Sequence, residues 1–257
     1  AADAFQAALE VAPPERQASM TSQLASALQR AERYEDARRM LHQTLEQGGG
    51  DPALQFQLAL TCRRLEDYDC AVQQLRSIQE SGQDPSQGRL TQYLAEWSYE
   101  RAMLPQNQSQ REELLTKALA AAEAWHDQAP DDPGARRILG DTLFALGRTD
   151  EVILAFQPLA DQNPADCDAA LMMSRADNAR GDAERAEQYA RRTIECDARS
   201  ADAHVELAMA LLGQIASDAA GPARAPADLE RARAAMAELE TAAELEPASP
   251  PQRLHDE

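Results

Sequence analysis

Small residues return at a fixed interval along this 257-residue chain. Ala37 and Ala71 lie 34 residues apart, as do Ala118 and Val152, and Val152 and Ala186. Ala235 completes the series once the longer gaps, Ala71 to Ala118 and Ala186 to Ala235, are read as insertions of 13 and 15 residues. A period of this length marks a repeat architecture, in which one supersecondary unit stacks on the next and no single central core is required.

The same local pattern surrounds each recurring small residue. One unit reads Leu58-Ala59, Tyr68-Asp69-Cys70-Ala71, Leu75 and Asp84-Pro85; another reads Leu139-Gly140, Gly147, Val152, Phe156, Leu159 and Pro164. This resembles the tetratricopeptide repeat, whose length and helix pair match. The resemblance covers nearly the whole chain and implies an all-α fold, a right-handed α-solenoid of helical hairpins. In that family small residues at motif positions 8 and 20 let paired helices approach, and larger apolar residues at 7, 11 and 24 fill the space between. Here positions 8 and 20 are Ala25/Ala37, Ala59/Ala71, Ala95/Ala118, Gly140/Val152, Ser174/Ala186 and Ala208/Ala235. Two departures stand out: Trp125 at position 27 of the third unit, and Asp177 where the fifth should carry a large apolar residue. The fifth hairpin is therefore expected to pack less well.

The expected organisation is one solenoid over residues 1–250 with a tail at 251–257. A partial repeat at 1–17 precedes units starting near 18, 52, 88, 133, 167 and 201. Glycine and proline in Gln47–Pro52, Ser81–Pro85, Pro130–Pro133 and Asn163-Pro164 stop helices between repeats. The insertion near 104–110 should lengthen the first helix of its unit and add a polar loop; the second, near 213–226, is rich in Ala, Gly, Pro and Asp. Both fall at hairpin tips. The chain starts without Met, and Phe5, Leu9 and Pro13 read as the end of a repeat whose first helix is missing. Either an export signal ended at Ala1 or the sequence is a piece of a longer protein.

Composition narrows the partners. With 25 basic and 44 acidic residues the formal net charge is −19, and Lys117 is the sole lysine. Such a surface opposes phosphate backbones, so nucleic acid is excluded as the expected partner. A salty habitat and a GC-rich genome would each give carboxylate excess or Arg in place of Lys, and both readings stay open. No apolar run approaches the length of a membrane span.

Four cysteines form two pairs, each symmetric about a hairpin turn near motif position 15. Cys62 with Cys70 and Cys167 with Cys196 are therefore expected as disulfides within single hairpins, which implies an oxidising compartment, periplasmic or secreted, with the cytoplasm as the alternative. Small buried reduced thiols are the competing reading. His42, His126, His204 and His255 are dispersed and no C-x-x-C occurs, so no metal site or cofactor is expected.

No phosphate loop, G-x-S-x-G or H-E-x-x-H is present, and paired carboxylates such as Glu112-Glu113 suit solvated helix faces, so an enzyme is not expected. The resemblance implies binding instead: first helices line a concave groove through motif positions 2, 5, 6, 9, 12 and 13. Carried over, these give Phe56, Leu60 and Arg63; Gln92, Tyr93, Glu96 and Tyr99; Arg137, Asp141 and Phe144; Leu171 and Arg175; and Met209. Apolar members would receive side chains of an extended or helical segment, with Arg63, Arg137 and Arg175 orienting acidic or backbone oxygens. The lysines of the carboxylate clamp known in one subclass are absent. The expected function is a non-catalytic scaffold or adaptor for a peptide or client protein in a bacterial envelope assembly; the alternatives are a regulatory or targeting segment of a larger enzyme and a chaperone for an exported protein. Self-association through exposed solenoid ends, around Phe5 and Leu9, is a further possibility.

Overall fold

The computed structural model describes residues 14–48, 50–218 and 226–245. Among them are twelve α-helices, one 3-10 helix and no strand. In chain order the helices are α1 (Pro14–Arg30), α2 (Tyr34–Gly48), α3 (Pro52–Arg64), α4 (Tyr68–Ser81), α5 (Leu90–Met103), α6 (Arg111–Gln128), α7 (Pro133–Ala145), α8 (Thr149–Gln162), α9 (Cys167–Arg180), α10 (Ala183–Cys196), α11 (Ala201–Asp218) and α12 (Pro226–Leu245). This is an all-α helical-repeat solenoid fold. The chain divides into two compact units, Ala1–Thr142 and Leu143–Glu257, with the boundary inside α7.

The acidic composition begins the helices. Asp51 accepts from the amides of Ala53 and Leu54 ahead of α3, where Pro52 occupies the first turn. Asp67, Asp132, Asp166 and Asp182 likewise accept from Cys70, Ala135, Ala169 and Arg185. Each cap satisfies an amide that has no partner within the helix, worth about 1 kcal/mol.

One turn recurs within the hairpins. Glu32, Glu66, Gly147 and Gly181 all have positive φ, at 57°, 58°, 70° and 80°. The amide after each returns to a carbonyl five residues earlier, in Arg33 to Leu28, Asp67 to Cys62, Arg148 to Leu143 and Asp182 to Asp177, all at 2.9 Å. These are Schellman closures, which glycine adopts without the steric cost that Glu32 and Glu66 bear.

Between the paired helices, Ala25, Ala37, Ala59, Ala71, Ala95, Ala118, Val152, Ser174, Ala186 and Ala208 are completely buried. In the first unit Leu41, Leu58, Leu75 and Ile78 fill the space beside these close approaches, and Leu54, Leu94 and Trp97 extend the same core. Trp125 is buried too, and its ring explains Gly134: a Cβ there would lie 2.9 Å from the indole edge.

In the second unit Asp177 does not loosen its hairpin as expected. Its side chain is buried, with Arg185 Nε 3.5 Å from its carboxylate, and its backbone carbonyl closes the turn. Burial pushes the Asp177 carboxyl above the usual range while Arg185 opposes the shift. Ser174, replacing the usual alanine, donates its hydroxyl to the Ala186 carbonyl at 2.9 Å. Met172, Met173 and Ala176 remain buried around it.

The first insertion does not lengthen its helix. α5 stops at Met103, and Pro105–Gln110 forms the 3-10 helix, to which Pro105 is suited because the first position needs no amide. Asn107 ties this segment back to the Arg101 carbonyl at 2.7 Å. In the second insertion, α11 continues to Asp218 and α12 starts at Pro226; residues 219–225 lie outside the described residues, as do Phe5, Leu9 and 251–257.

Both cysteine pairs come together within hairpins. Cys62 and Cys70 join the end of α3 to the first turn of α4 with sulfurs 2.00 Å apart; Cys167 and Cys196 join the start of α9 to the end of α10 at 2.26 Å. Cα separations of 5.9 and 5.8 Å suit disulfides. No described cysteine is left free.

Two tests follow from these turns and staples. Glu66→Gly should raise stability by about 0.5 kcal/mol and Gly181→Ala should lower it by about 1 kcal/mol in thermal unfolding, because only the latter forces a side chain into the left-handed region. A stabilising Gly181→Ala would contradict the turn. Alkylation of the denatured, unreduced protein should modify no thiol, and reduction should cost about 2.6 and 3.6 kcal/mol for the shorter and longer loops; four modified thiols would remove both bridges.

Candidate functional site

Within each unit the first helices of successive hairpins present a common face. In the first unit, Phe56 and Leu60 on α3 and Tyr93 on α5 are half-buried and pack against the core edge. The Phe56 and Tyr93 rings lie 5.6 Å apart, Tyr93 and Trp97 lie 5.1 Å apart, and Arg89 sits over Tyr93 at 5.3 Å. An aromatic row thus bridges neighbouring hairpins, with Phe56 and Tyr93 partly exposed and Trp97 buried at its inner end.

Polar residues border that row. Arg63 pairs with Glu100 of the next first helix at 3.0 Å and lies over the Tyr68 ring at 4.8 Å. Burial, then the Glu100 charge, pushes the Tyr68 phenol up. Gln92 donates to Glu96 at 3.2 Å on α5. Burial nevertheless raises the Glu96 carboxyl above its ordinary value, with the Gln92 bond and the more distant charges of Arg137 and Arg63 pulling it back. Tyr99 on α5 and Asp141 on α7 are half-buried on the same helices, and Arg137 on α7 is exposed.

In the second unit Phe144 ends α7 with an exposed ring, while Leu171 on α9 is half-buried. Arg175 on α9 reaches α11, pairing with Asp202 at 2.9 Å and approaching Glu206 at 3.6 Å. Asn178 donates to both the backbone carbonyl and the carboxylate of Glu206, at 3.0 and 2.7 Å. Glu206 is buried, which raises its carboxyl, while Asn178 and Arg175 oppose. Met209 on α11 stands exposed.

A device emerges that the sequence did not announce. Gln29, Arg63 and Asn178 occupy the same repeat position, and each donates to the next first helix: Gln29 to Thr61 at 2.7 Å, Arg63 to Glu100 and Asn178 to Glu206. Arg63 and Arg175 are therefore engaged by the protein's own carboxylates. Asn178 and Glu206 fall at groove positions of the repeat pattern; Asp202, Arg89 and Trp97 join these contacts beyond those positions, Asp202 meeting Arg175 from the next hairpin and Arg89 and Trp97 meeting Tyr93 within their own.

The histidines are structural or superficial where described. His204 is buried, with Nδ1 2.6 Å from Glu238 and Nε2 3.3 Å from the Ala198 carbonyl, and so links α11 to α12. Among the described residues no group of His, Cys, Asp and Glu is arranged to hold a metal ion. An open polar groove of about 710 Å³ between α2 and α4, lined in part by Arg38, His42 and Asp67, reaches the half-buried Cys70.

No protein-family model matches the sequence, and no curated protein matches it significantly. Solved structures do match. A crystal structure of MamA is similar with a TM-score of 0.54 at 18% identity, over 78% of this chain and 98% of that one. Another MamA structure gives 0.51 at 17% identity, over 74% and 94%. A tetratricopeptide repeat protein from Parabacteroides merdae matches over 91% of both chains with a TM-score of 0.51 and 13% identity. Hairpins closed by the same turn, small residues buried where paired helices meet, and these structural matches identify the fold of this chain as that of the tetratricopeptide-repeat proteins.

Proposed function

We propose that this chain is a non-catalytic scaffold or adaptor that holds a polypeptide segment against the first-helix faces of its hairpins. The Phe56–Tyr93 pair, backed by the buried Trp97, carries the reading: two half-buried rings beside a half-buried carboxylate offer apolar contact and one directional acceptor, Glu96, on the same helix face. Aromatic side chains with a polar neighbour are the usual anchors of polypeptide recognition. Leu60, Gln92, Tyr99, Arg137 and Asp141 extend this surface in the first unit; Phe144, Leu171, Arg175 and Met209 supply its counterpart in the second. Since Arg63 and Arg175 already hold carboxylates, they shape the face more than they grip a ligand.

An oxidising compartment, such as the space served by a bacterial envelope assembly, fits the two cysteine pairs. The charge of −19 argues against nucleic acid. No described helix is long and apolar enough to cross a membrane.

Peptides selected on the wild-type protein from a random display library test the reading. Tyr93→Ala should weaken their binding about tenfold or more while leaving helix content by circular dichroism unchanged. Unchanged affinity in the variant, or no peptide recovered, would count against it.

A further inference from the structure

The last hairpin exposes apolar side chains at the positions through which the preceding hairpin holds its neighbour. α9 and α10 receive α11 by four contacts: Arg175 to Asp202 and Glu206, Asn178 to Glu206, Glu187 to Gln214, and Ala190 in a cluster with Leu207, Ala208 and Leu211. One repeat further, 34 residues on for the first helix and 49 for the second, the equivalent residues are Met209, Leu212, Met236 and Leu239. The offset is anchored by Ala186 and Ala235, and by Thr193 and Ala242, all buried. Met209, Leu212, Met236 and Leu239 are 51%, 46%, 63% and 43% exposed. Three polar residues and an alanine have thus become large apolar ones where nothing among the described residues covers them.

We propose that this end face of the second unit is a docking site for an amphipathic helix of a partner polypeptide, apolar on one side and rich in Lys or Arg on its flanks. The internal interface supplies the template, since the equivalent surface of α9 and α10 is occupied by a helix. The changed residues set the chemistry. Where α11 offers Asp202 and Glu206 to Arg175 and Asn178, the partner helix meets Met209 and Leu212 and so presents apolar side chains. Leu239 is larger than Ala190 and takes up space that Leu207 fills in the template, so the partner carries a small residue there. Charge sets the flanks: α12 carries Asp228, Glu230, Glu238, Glu240 and Glu244 against Arg231 and Arg233. A second copy of a chain with net charge −19 would be repelled, whereas a basic helix is drawn in. Exposed apolar patches with a charged rim are typical of such sites. The end face shares Met209 with the first-helix face of the second unit, but its test rests on Met236 and Leu239 of α12, which belong to no first helix.

The test uses the full chain and a fluorescent 18-residue helical peptide with Leu and Ala on one face and Lys on the other, beside a version with Glu for Lys. The Lys peptide should bind and the Glu peptide should bind at least about tenfold more weakly. Met236→Gln with Leu239→Gln, at exposed positions that leave the hairpin core intact, should weaken the Lys peptide about tenfold, whereas Tyr93→Ala should not change it. No binding of the Lys peptide, equal affinity for both peptides, or affinity unaffected by the double substitution would overturn the proposal. So would a wild-type dimer in light scattering that the double variant dissociates, which makes a second copy the occupant. Binding that appears only after removal of residues 246–257 would assign the face to the chain's own segment instead.

Discussion

Close approach of paired helices at small, fully buried residues is the constraint on which the rest of the structure depends. Ala59 and Ala71 are fully buried in one core cluster, Ser174 donates to the Ala186 carbonyl across its hairpin, and the larger Leu58, Leu75 and Met173 are buried beside them. With aromatics at 4% of the chain, packing rests on many such contacts, each modest, summed along the stack.

Polar chemistry is organised around that packing. Aspartates cap five of the described helices, and donors at one repeat position clip α1 to α3, α3 to α5 and α9 to α11. Where a carboxylate is drawn inward, at Glu96, Asp177 and Glu206, burial raises its pKa and a nearby donor or arginine offsets part of the cost. The ionised forms of these groups therefore reduce stability, and the contribution is relieved as pH falls toward their raised values. Of the three, Glu206 is held from the neighbouring hairpin, by Asn178 and Arg175, whereas Asp177 and Glu96 meet partners within their own hairpins.

The hairpins were legible because a single spacing of alanines reports helix contact directly. The positive-φ closures were half-legible: Gly147 and Gly181 announce them, Glu32 and Glu66 do not. The insertion at 104–110 brings no helix extension because Pro105 follows close on the end of α5 at Met103, and its polar composition does not distinguish the expected loop from the short 3-10 turn found there. Asp177 read as a packing defect because its neutralising partner, Arg185, lies across the turn. The repeat pattern assigns the proposed binding positions to first helices, which is where those residues lie. What sequence could not reveal was that Arg63 and Arg175 are already paired, since Glu100, Asp202 and Glu206 belong to the following hairpins.

The most direct measurement is the unfolding free energy of Ala59→Leu beside that of Ala120→Leu. Ala59 lies fully buried between helices and Ala120 is exposed on α6. The account predicts a loss of about 1–3 kcal/mol for Ala59→Leu from overpacking, and a change within about 0.5 kcal/mol for Ala120→Leu. Equal stability of the two variants would contradict the claim that close helix contact at the repeating small residues holds the hairpins together.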